Sequence, residues 1–424
     1  MIDSRQKNKW LSIIGCGTEG YDALPKKAKS AIEDANHLLG SSRQLSLIPD
    51  EMSPNAKREI WPSPMMPRIK EVAEEKHENT VIIASGDPQC WGIGQHFSEH
   101  LMKEEFECLP SVSILTRIAN IMHWPTATTP SISLCSQPIE TISLYLQQKQ
   151  NLILLSTGKG TPEQVGLFLT EKGFGNSKIT VLENLGNETE TLKTANARNI
   201  ASIGPFNALN SLALSLKADE KTPSLSCNPG LPDDSFEHDG QMTKQNMRAI
   251  TLAHLRPNPG ELLWDIGSGS GSIGIEWLRA GTLFKGIPCK AIGFEKNKTR
   301  LERAQKNARN LGVPQLELIL GNAEETILNA PAPDAIFIGG GITTPNLLDR
   351  ALNTLKPGGR LVANTVTIEG TAKLIDNYKS HGGSLSQIAI SNADPVGHFH
   401  GMRPQMTINQ WIFKKKSSKV KILK

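Results

Sequence analysis

Apolar residues along the chain come in short runs of four to six, each bounded by glycine, proline or polar clusters and followed by a longer stretch with helical spacing. Trp10–Ile14, Thr80–Ala84, Phe106–Leu109, Ser131–Leu134, Asn151–Leu155, Lys178–Leu182 and Leu209–Leu216 read as strands of a first half. Leu262–Ile266, Lys290–Phe294, Gln315–Leu320, Pro333–Ile338 and Leu355–Val366 read as strands of a second. Helices are predicted between them, over 26–36, from Trp91, through Met122, from Ile139, from Pro162, over 243–255 with Thr243 as N-cap, and along Leu301, Ala304 and Ala308. Strand alternating with helix predicts an α/β protein with largely parallel sheets.

At 424 residues the chain is too long for one hydrophobic core and suited to two. The polar, turn-rich run 218–230 is the expected linker, between domains at 1–217 and 231–424, the second ending in a basic tail. Hydrophobic residues make up 38% and charged residues 21%, the net charge is +4, and no run of apolar residues is long enough to cross a bilayer. No partnership with nucleic acid or membrane is expected from this balance, and Lys414–Lys424 reads as a solvated charge run. Six scattered cysteines without a Cys-x-x-Cys pair, and a polar start without a signal-peptide core, lead us to expect a cytoplasmic protein.

The chemistry concentrates in Leu262-Leu-Trp-Asp-Ile-Gly-Ser-Gly-Ser-Gly271, a buried strand running into glycines at alternate positions before a helix. Gly269-Ser-Gly-Ser-Ile-Gly274 satisfies the dinucleotide pattern, and Glu295, ending the next strand, suits a ribose, so a nicotinamide cofactor fits this stretch formally. Asp265 ahead of Gly267, Gly269 and Gly271 instead resembles the S-adenosylmethionine loop of class I methyltransferases. Carboxylates at the loop and at the ribose would then face a cationic sulfonium and an amino-acid end. Gly339-Gly-Gly341 leaves room beside a reacting methyl, or is a structural turn. Asp87, at a strand's carboxyl end, is a ligand contact or a helix cap.

Gly15-Cys-Gly17, Ala84-Ser-Gly-Asp-Pro88, Pro110-Ser-Val-Ser113, Thr161-Pro-Glu163 and Glu183-Asn-Leu-Gly186 resemble the tetrapyrrole (uroporphyrin-type) methylase family, most closely its cobalamin-pathway C5 methylases. The resemblance implies a two-subdomain α/β fold binding S-adenosylmethionine, with Gly86, Asp87, Cys90, Ser113 and Ile114 at the cofactor. Ser133-Leu-Cys-Ser-Gln-Pro138 departs from that family by lacking a histidine and an arginine. Thr243-Lys244, Arg248, Trp264-Asp-Ile-Gly267, Ile275-Glu-Trp277, Ile336-Phe-Ile-Gly339 and Gly358–Asn364 resemble the decarboxylating precorrin-6B C15-methyltransferase family. That likeness implies a class I, Rossmann-like domain with Thr243, Gly267, Ser268, Gly269, Ser270, Gly271, Glu295 and Ala323 at a second S-adenosylmethionine. A modest departure is Glu324, where that family more often has proline.

The two halves in this order are similar to the decarboxylating precorrin-6Y C5,15-methyltransferase family. One S-adenosylmethionine per domain, a precorrin-6-type tetrapyrrole substrate, methylation at C5 and C15 with loss of carbon dioxide from the C12 acetate, and a homo-oligomer are the expectations. A polycarboxylate substrate calls for cations, and Lys244, Arg248, Arg360 and Arg403 are the candidates, Arg248 foremost; an ordinary salt bridge is the competing reading of Arg248. His398 and His400 lack a third ligand at motif spacing, so no metal is expected. The alternative function is a class I methyltransferase acting on RNA or another acceptor, beside a degenerate first half. A nicotinamide oxidoreductase or a non-catalytic corrinoid-binding protein is a further alternative.

Overall fold

The computed structural model describes residues 9–282 and 287–417. The chain divides into two compact units, one running to Gln137 and resuming over Gln147–Thr222, the other formed by Pro138–Leu146 and the chain from Pro223 onward.

The first unit contains two five-stranded sheets. β1 (Leu11–Cys16), β2 (His37–Gly40), β3 (Lys57–Ile60), β4 (Thr80–Ser85) and β5 (Phe106–Leu109) pair in the order β3-β2-β4-β1-β5. Every pairing is parallel, and Ile13, Ile14, Ile82 and Ile83 are buried between helices on both faces. β6 (Ser131–Ser133), β7 (Asn151–Leu155), β8 (Lys178–Glu183), β9 (Thr191–Asn196) and β10 (Asn210–Ser215) form the mixed order β6-β7-β10-β8-β9. β2, β3 and β9 are additions to the sequence reading. The first two are only four residues long, and β9 presents mostly exposed polar side chains, so none of the three carries a long apolar run.

The second unit is built on β11 (Leu262–Ile266), β12 (Lys290–Glu295), β13 (Glu317–Leu320), β14 (Ala335–Ile338), β15 (Arg360–Thr365), β16 (Ser384–Ile388), β17 (Ser391–Val396), β18 (Phe399–Pro404) and β19 (Ile408–Lys414). The main sheet runs β13-β12-β11-β14-β15-β19-β16, parallel through β15, with β19 antiparallel to β15 and to β16. Alternation along the strands separates two cores: Leu263, Phe337 and Val362 pack with Trp277 on one face, Trp264, Ile336 and Leu361 with Trp411 on the other. β17 and β18 form a separate exposed hairpin whose base closes through Gln405 N–H to the Ile390 carbonyl at 2.8 Å.

Residues 218–230 divide between the units. The Thr222 hydroxyl donates to the Gly173 carbonyl at 2.8 Å in the first, whereas Leu225 and Cys227 pack against the core of the second. The 3₁₀ helix Ile139–Tyr145 also belongs to the second, placing Leu144 in that core and accepting the Cys227 thiol at 3.5 Å. Lys414 ends β19 as an exposed residue, whereas the Lys415 ammonium caps the carbonyls of Leu352, Asn353 and Leu355 at 2.7–2.9 Å and so is not the free charge expected of a tail. The rest of that tail, 418–424, lies outside the described residues. No helix among the described residues is long and apolar enough to cross a membrane.

Candidate active sites

In the second unit the strand order reverses at β11, whose neighbours β12 and β14 continue in opposite directions. The loops leaving β11 and β14 therefore part and leave a crevice at the strand tips. Here a cavity of about 940 Å³ is lined by Asp265–Ser270, Glu295, Asn322–Glu324, Gly339–Gly341, Asn364–Val366, Thr243–Lys244 and Gln405–Met406, among others. The crevice depends on glycine. Gly267 has φ +73°, and a Cβ there would lie 2.9 Å from the Gly340 nitrogen, so the two loops touch because position 267 carries no side chain. Gly271 closes the loop. It starts the helix Ser272–Gly281 at φ +78°, close to Ala304.

Two carboxylates brace the loop. Glu295 accepts from Gly269 N–H and from Asn297 N–H, both at 2.9 Å, tying the tip of β12 to the glycine turn. Asp265 is 1% exposed, and its Oδ2 accepts from Gly274 N–H at 3.0 Å. Burial pushes its carboxyl up to about 7; the Gly274 bond opposes this and the Glu295 charge adds to it. Asp265 Oδ1, Ser268 Oγ and Ser270 Oγ are buried without a protein partner. Unpaired polar atoms gathered under one loop fit a ligand with ammonium and hydroxyl groups. The cavity, the glycine cradle and Glu295 thus suit the nucleoside and amino-acid ends of S-adenosylmethionine.

Arg248 is corrected by the structure: it is fully buried and does not line the cavity. Its Nε donates to Glu276 Oε1 at 2.5 Å and its Nη1 to Asp233 Oδ1 at 3.1 Å. The guanidinium also donates to the carbonyls of Thr243 and Leu231, over the Phe236 ring. Glu276, 1% exposed, further accepts from Gly230 and Leu231 N–H. Arg248 thus pins the segment 230–243, whose last four residues line the cavity, rather than meeting substrate. Glu276, set between Ile275 and Trp277 in a helix buried along its whole length, was the sequence signal for a buried cation.

Thr243 is not the N-cap it was expected to be; Lys244 precedes the helix Gln245–Leu255, without a side-chain cap bond. Lys244 does line the cavity, half exposed, 3.9 Å from Asp233. Arg360 donates to both oxygens of Glu261 at 2.5 and 2.9 Å and to the carbonyls of Leu255 and Arg256, so it is structural. Arg403 pairs with Asp394 at 3.4 Å on the hairpin. Among the described residues no group of three or more His, Cys, Asp or Glu could hold a metal.

In the first unit, Gly86, Asp87 and Cys90 follow β4, and Ser113 and Ile114 follow β5, at the carboxyl edge of the parallel sheet. They are laced to the turn after β1: Gly86 N–H donates to the Cys16 carbonyl at 3.1 Å, and Ser111 N–H to the Gly86 carbonyl at 3.3 Å. A Cβ on Gly15 would collide with that Gly86 carbonyl and reach 2.7 Å from the Ser111 nitrogen. Asp87 caps no helix; its Oδ1 accepts from Gln89 N–H at 2.9 Å, and the next helix begins at Gly94. The Cys90 thiol is pushed up by burial, partly offset by its bond with Ser113, whose hydroxyl caps the helix Ile114–Met122. Sequence reasoning missed Arg43, an exposed guanidinium 2.8 Å from the Ser85 hydroxyl beside Gly86, because nothing around it marks a motif.

A glycine-cradled crevice at the switch point of a β13-β12-β11-β14-β15 sheet, with acids at the loop and at the second strand tip, defines an S-adenosylmethionine-dependent methyltransferase. Residues 234–415 match the family described as "Precorrin methyltransferase domain", and residues 11–201 match "Tetrapyrrole (Corrin/Porphyrin) Methylases". The chain is 36% identical over 406 residues to the precorrin-6Y C(5,15)-methyltransferase [decarboxylating] of a Sinorhizobium species, covering 96% of each. It is also 36% identical over 403 residues to the protein of that name from Mycobacterium tuberculosis, covering 95% of this chain and 98% of the relative. A solved C-terminal domain of precorrin-6Y C5,15-methyltransferase from Rhodobacter capsulatus is 42% identical, with 45% of this chain and all of that one aligned at a TM-score of 0.42. The chain belongs to the precorrin-6Y C5,15-methyltransferase (decarboxylating) family.

Proposed function

We propose that this chain is a bifunctional methyltransferase of cobalamin biosynthesis, acting on a precorrin-6-type tetrapyrrole. The first unit methylates C5; the second methylates C15 and promotes loss of carbon dioxide from the C12 acetate. Each unit holds one S-adenosylmethionine, the first at Gly86, Asp87, Cys90, Ser113 and Ile114, the second at Thr243, Gly267–Gly271, Glu295 and Ala323. The enzyme works in the cytoplasm as a homo-oligomer, without nucleic-acid or membrane partners.

The observation that carries this reading is the second unit's cavity, with Asp265 and Glu295 bracing its glycine loop. When bound, S-adenosylmethionine supplies a methyl group on a cationic sulfur, open to displacement by an electron-rich ring carbon. The protein therefore needs no nucleophile of its own, and alignment carries much of the rate. Glu295 and the Gly267–Ser270 backbone hold the donor, Asp265 meets its positive end, and Gly339–Gly341 leave space between donor and acceptor. Lys244 at the rim meets a substrate carboxylate. In the decarboxylation the C–CO₂ bond breaks, its electron pair passes into the conjugated ring, and a proton taken up at the former methylene leaves a methyl group. The test is product mass after incubation with metal-free or cobalt-containing substrate. Asp265→Ala with Glu295→Ala is expected to leave C5 methylation and abolish C15 methylation; C15 methylation retained in that variant counts against the assignment.

A further inference from the structure

Asn364 ends a buried polar chain at the cavity of the second unit. Its Nδ2 donates to the Thr251 hydroxyl at 2.9 Å, and its Oδ1 accepts from Gln410 Nε2 at 2.9 Å. Gln410 Nε2 also lies 3.4 Å from Thr251 Oγ1, and its Oε1 meets His254 Nδ1 at 2.7 Å. Gln410 and Thr251 are fully buried, and Asn364 is 9% exposed, on the cavity wall. Burying two carboxamides and a hydroxyl yields little net stability compared with an apolar filling. What such a chain does supply is orientation. With His254 Nδ1 as donor every contact pairs a donor with an acceptor, Asn364 turns its oxygen inward to Gln410, and one Nδ2 hydrogen remains for the cavity.

Strand order says which ligand that hydrogen meets. The groups suited to the donor molecule stand on β11, β12 and beyond β13, whereas β15 lies on the other side of β14. With Lys244, Gln405 and Met406, Asn364 therefore forms the acceptor side of the cavity. Building on the function proposed above, we propose that Asn364 is a substrate-binding residue of the C15 site, donating its free Nδ2–H to a carboxylate of the tetrapyrrole, and that Gln410 and His254 are positioning residues that keep that hydrogen facing outward. The carboxylate is one the product retains. A donor on the departing carboxylate would hold negative charge where it starts and raise the barrier to CO₂ loss.

The test uses the full chain with the tetrapyrrole substrate, methyl positions resolved by mass and NMR, and S-adenosylhomocysteine binding measured alongside. Asn364→Ala is expected to lower kcat/KM for C15 methylation roughly 10- to 100-fold, the scale of one hydrogen bond to a charged group. C5 methylation and S-adenosylhomocysteine affinity should stay within about twofold of wild type, by the same local reasoning. Asn364→Asp, nearly isosteric, should lose more, because it sets a like charge against the substrate. Gln410→Glu can only accept, so it turns the Asn364 amide inward and should reproduce the Asn364→Ala loss of C15 kcat/KM, measured at a temperature where the variant is folded and still binds S-adenosylhomocysteine like wild type. Unchanged C15 kinetics in Asn364→Ala and Asn364→Asp, or affinity for S-adenosylhomocysteine falling in step with activity, overturns the assignment. Wild-type enzyme that transfers no methyl to C15 overturns the function and this inference together, whereas active wild type with indifferent variants overturns only the role of Asn364.

Discussion

At Gly267 two loops meet backbone to backbone, and a single methyl group is too much: its φ of +73° and the 2.9 Å approach to the Gly340 nitrogen both exclude a Cβ. Gly267→Ala is expected to cost about 1–3 kcal/mol of stability and to weaken S-adenosylhomocysteine binding, checked by thermal melting and calorimetry. Asp265 carries a second consequence. Its native pKa, raised to about 7 by burial, stands above the ordinary aspartate value, so the empty fold favours the protonated form. That contribution is full below about pH 4 and is lost as pH rises through about 7. The melting temperature of the ligand-free enzyme should therefore fall more steeply from pH 5 to 8 in wild type than in Asp265→Asn. A cationic ligand end draws the group back to carboxylate, so binding near pH 6 should release a proton. Calorimetry in buffers of different ionisation enthalpy reads that release directly, and buffer-independent heats would contradict it.

Among elements, the segment 230–243 is tied at Leu231, Asp233 and Thr243 to the Arg248–Glu276 pair. Removing the guanidinium leaves Glu276 buried without its cation, which costs about 3–5 kcal/mol. Arg248→Ala is accordingly expected to lower the melting temperature sharply and to weaken cofactor affinity. Arg248→Lys should not rescue it, because one ammonium cannot reach Glu276, Asp233 and two carbonyls in the same fork.

The same residue marks where sequence stops being informative. Leu262–Leu278 was readable because an apolar run, alternate glycines and a helix start are local features, and they place Asp265 and Glu295 at the site. Arg248 was readable as a cation but not as a buried one, since Glu276 lies 28 positions away and only the fold brings them together. β9 and the β17–β18 hairpin escaped for a different reason: mostly exposed, they lack the apolar signal that marks β1 or β11. The chain from Thr251 to Asn364 and Gln410 joins three elements, the first 113 and 159 positions from the other two and those two 46 apart, and no spacing rule reaches that far.

For the molecule as a whole, two units with different sheet orders each present glycine-bearing loops at the carboxyl edge of a parallel sheet. Gly15 in one and Gly267 in the other permit the close approach their loops need. If each edge is a methyl-donor site, the sites should be separable by mutation. Gly15→Val should abolish C5 methylation and spare C15, and the Asp265, Glu295 double substitution should do the reverse, both read as product mass.

Calorimetric titration of the intact chain with S-adenosylhomocysteine tests the central claim most directly. Two equivalents per chain are expected for wild type, and one after Asp265→Ala with Glu295→Ala. Absence of binding, or a wild-type stoichiometry that survives loss of both carboxylates, would contradict a methyl-donor site in each unit.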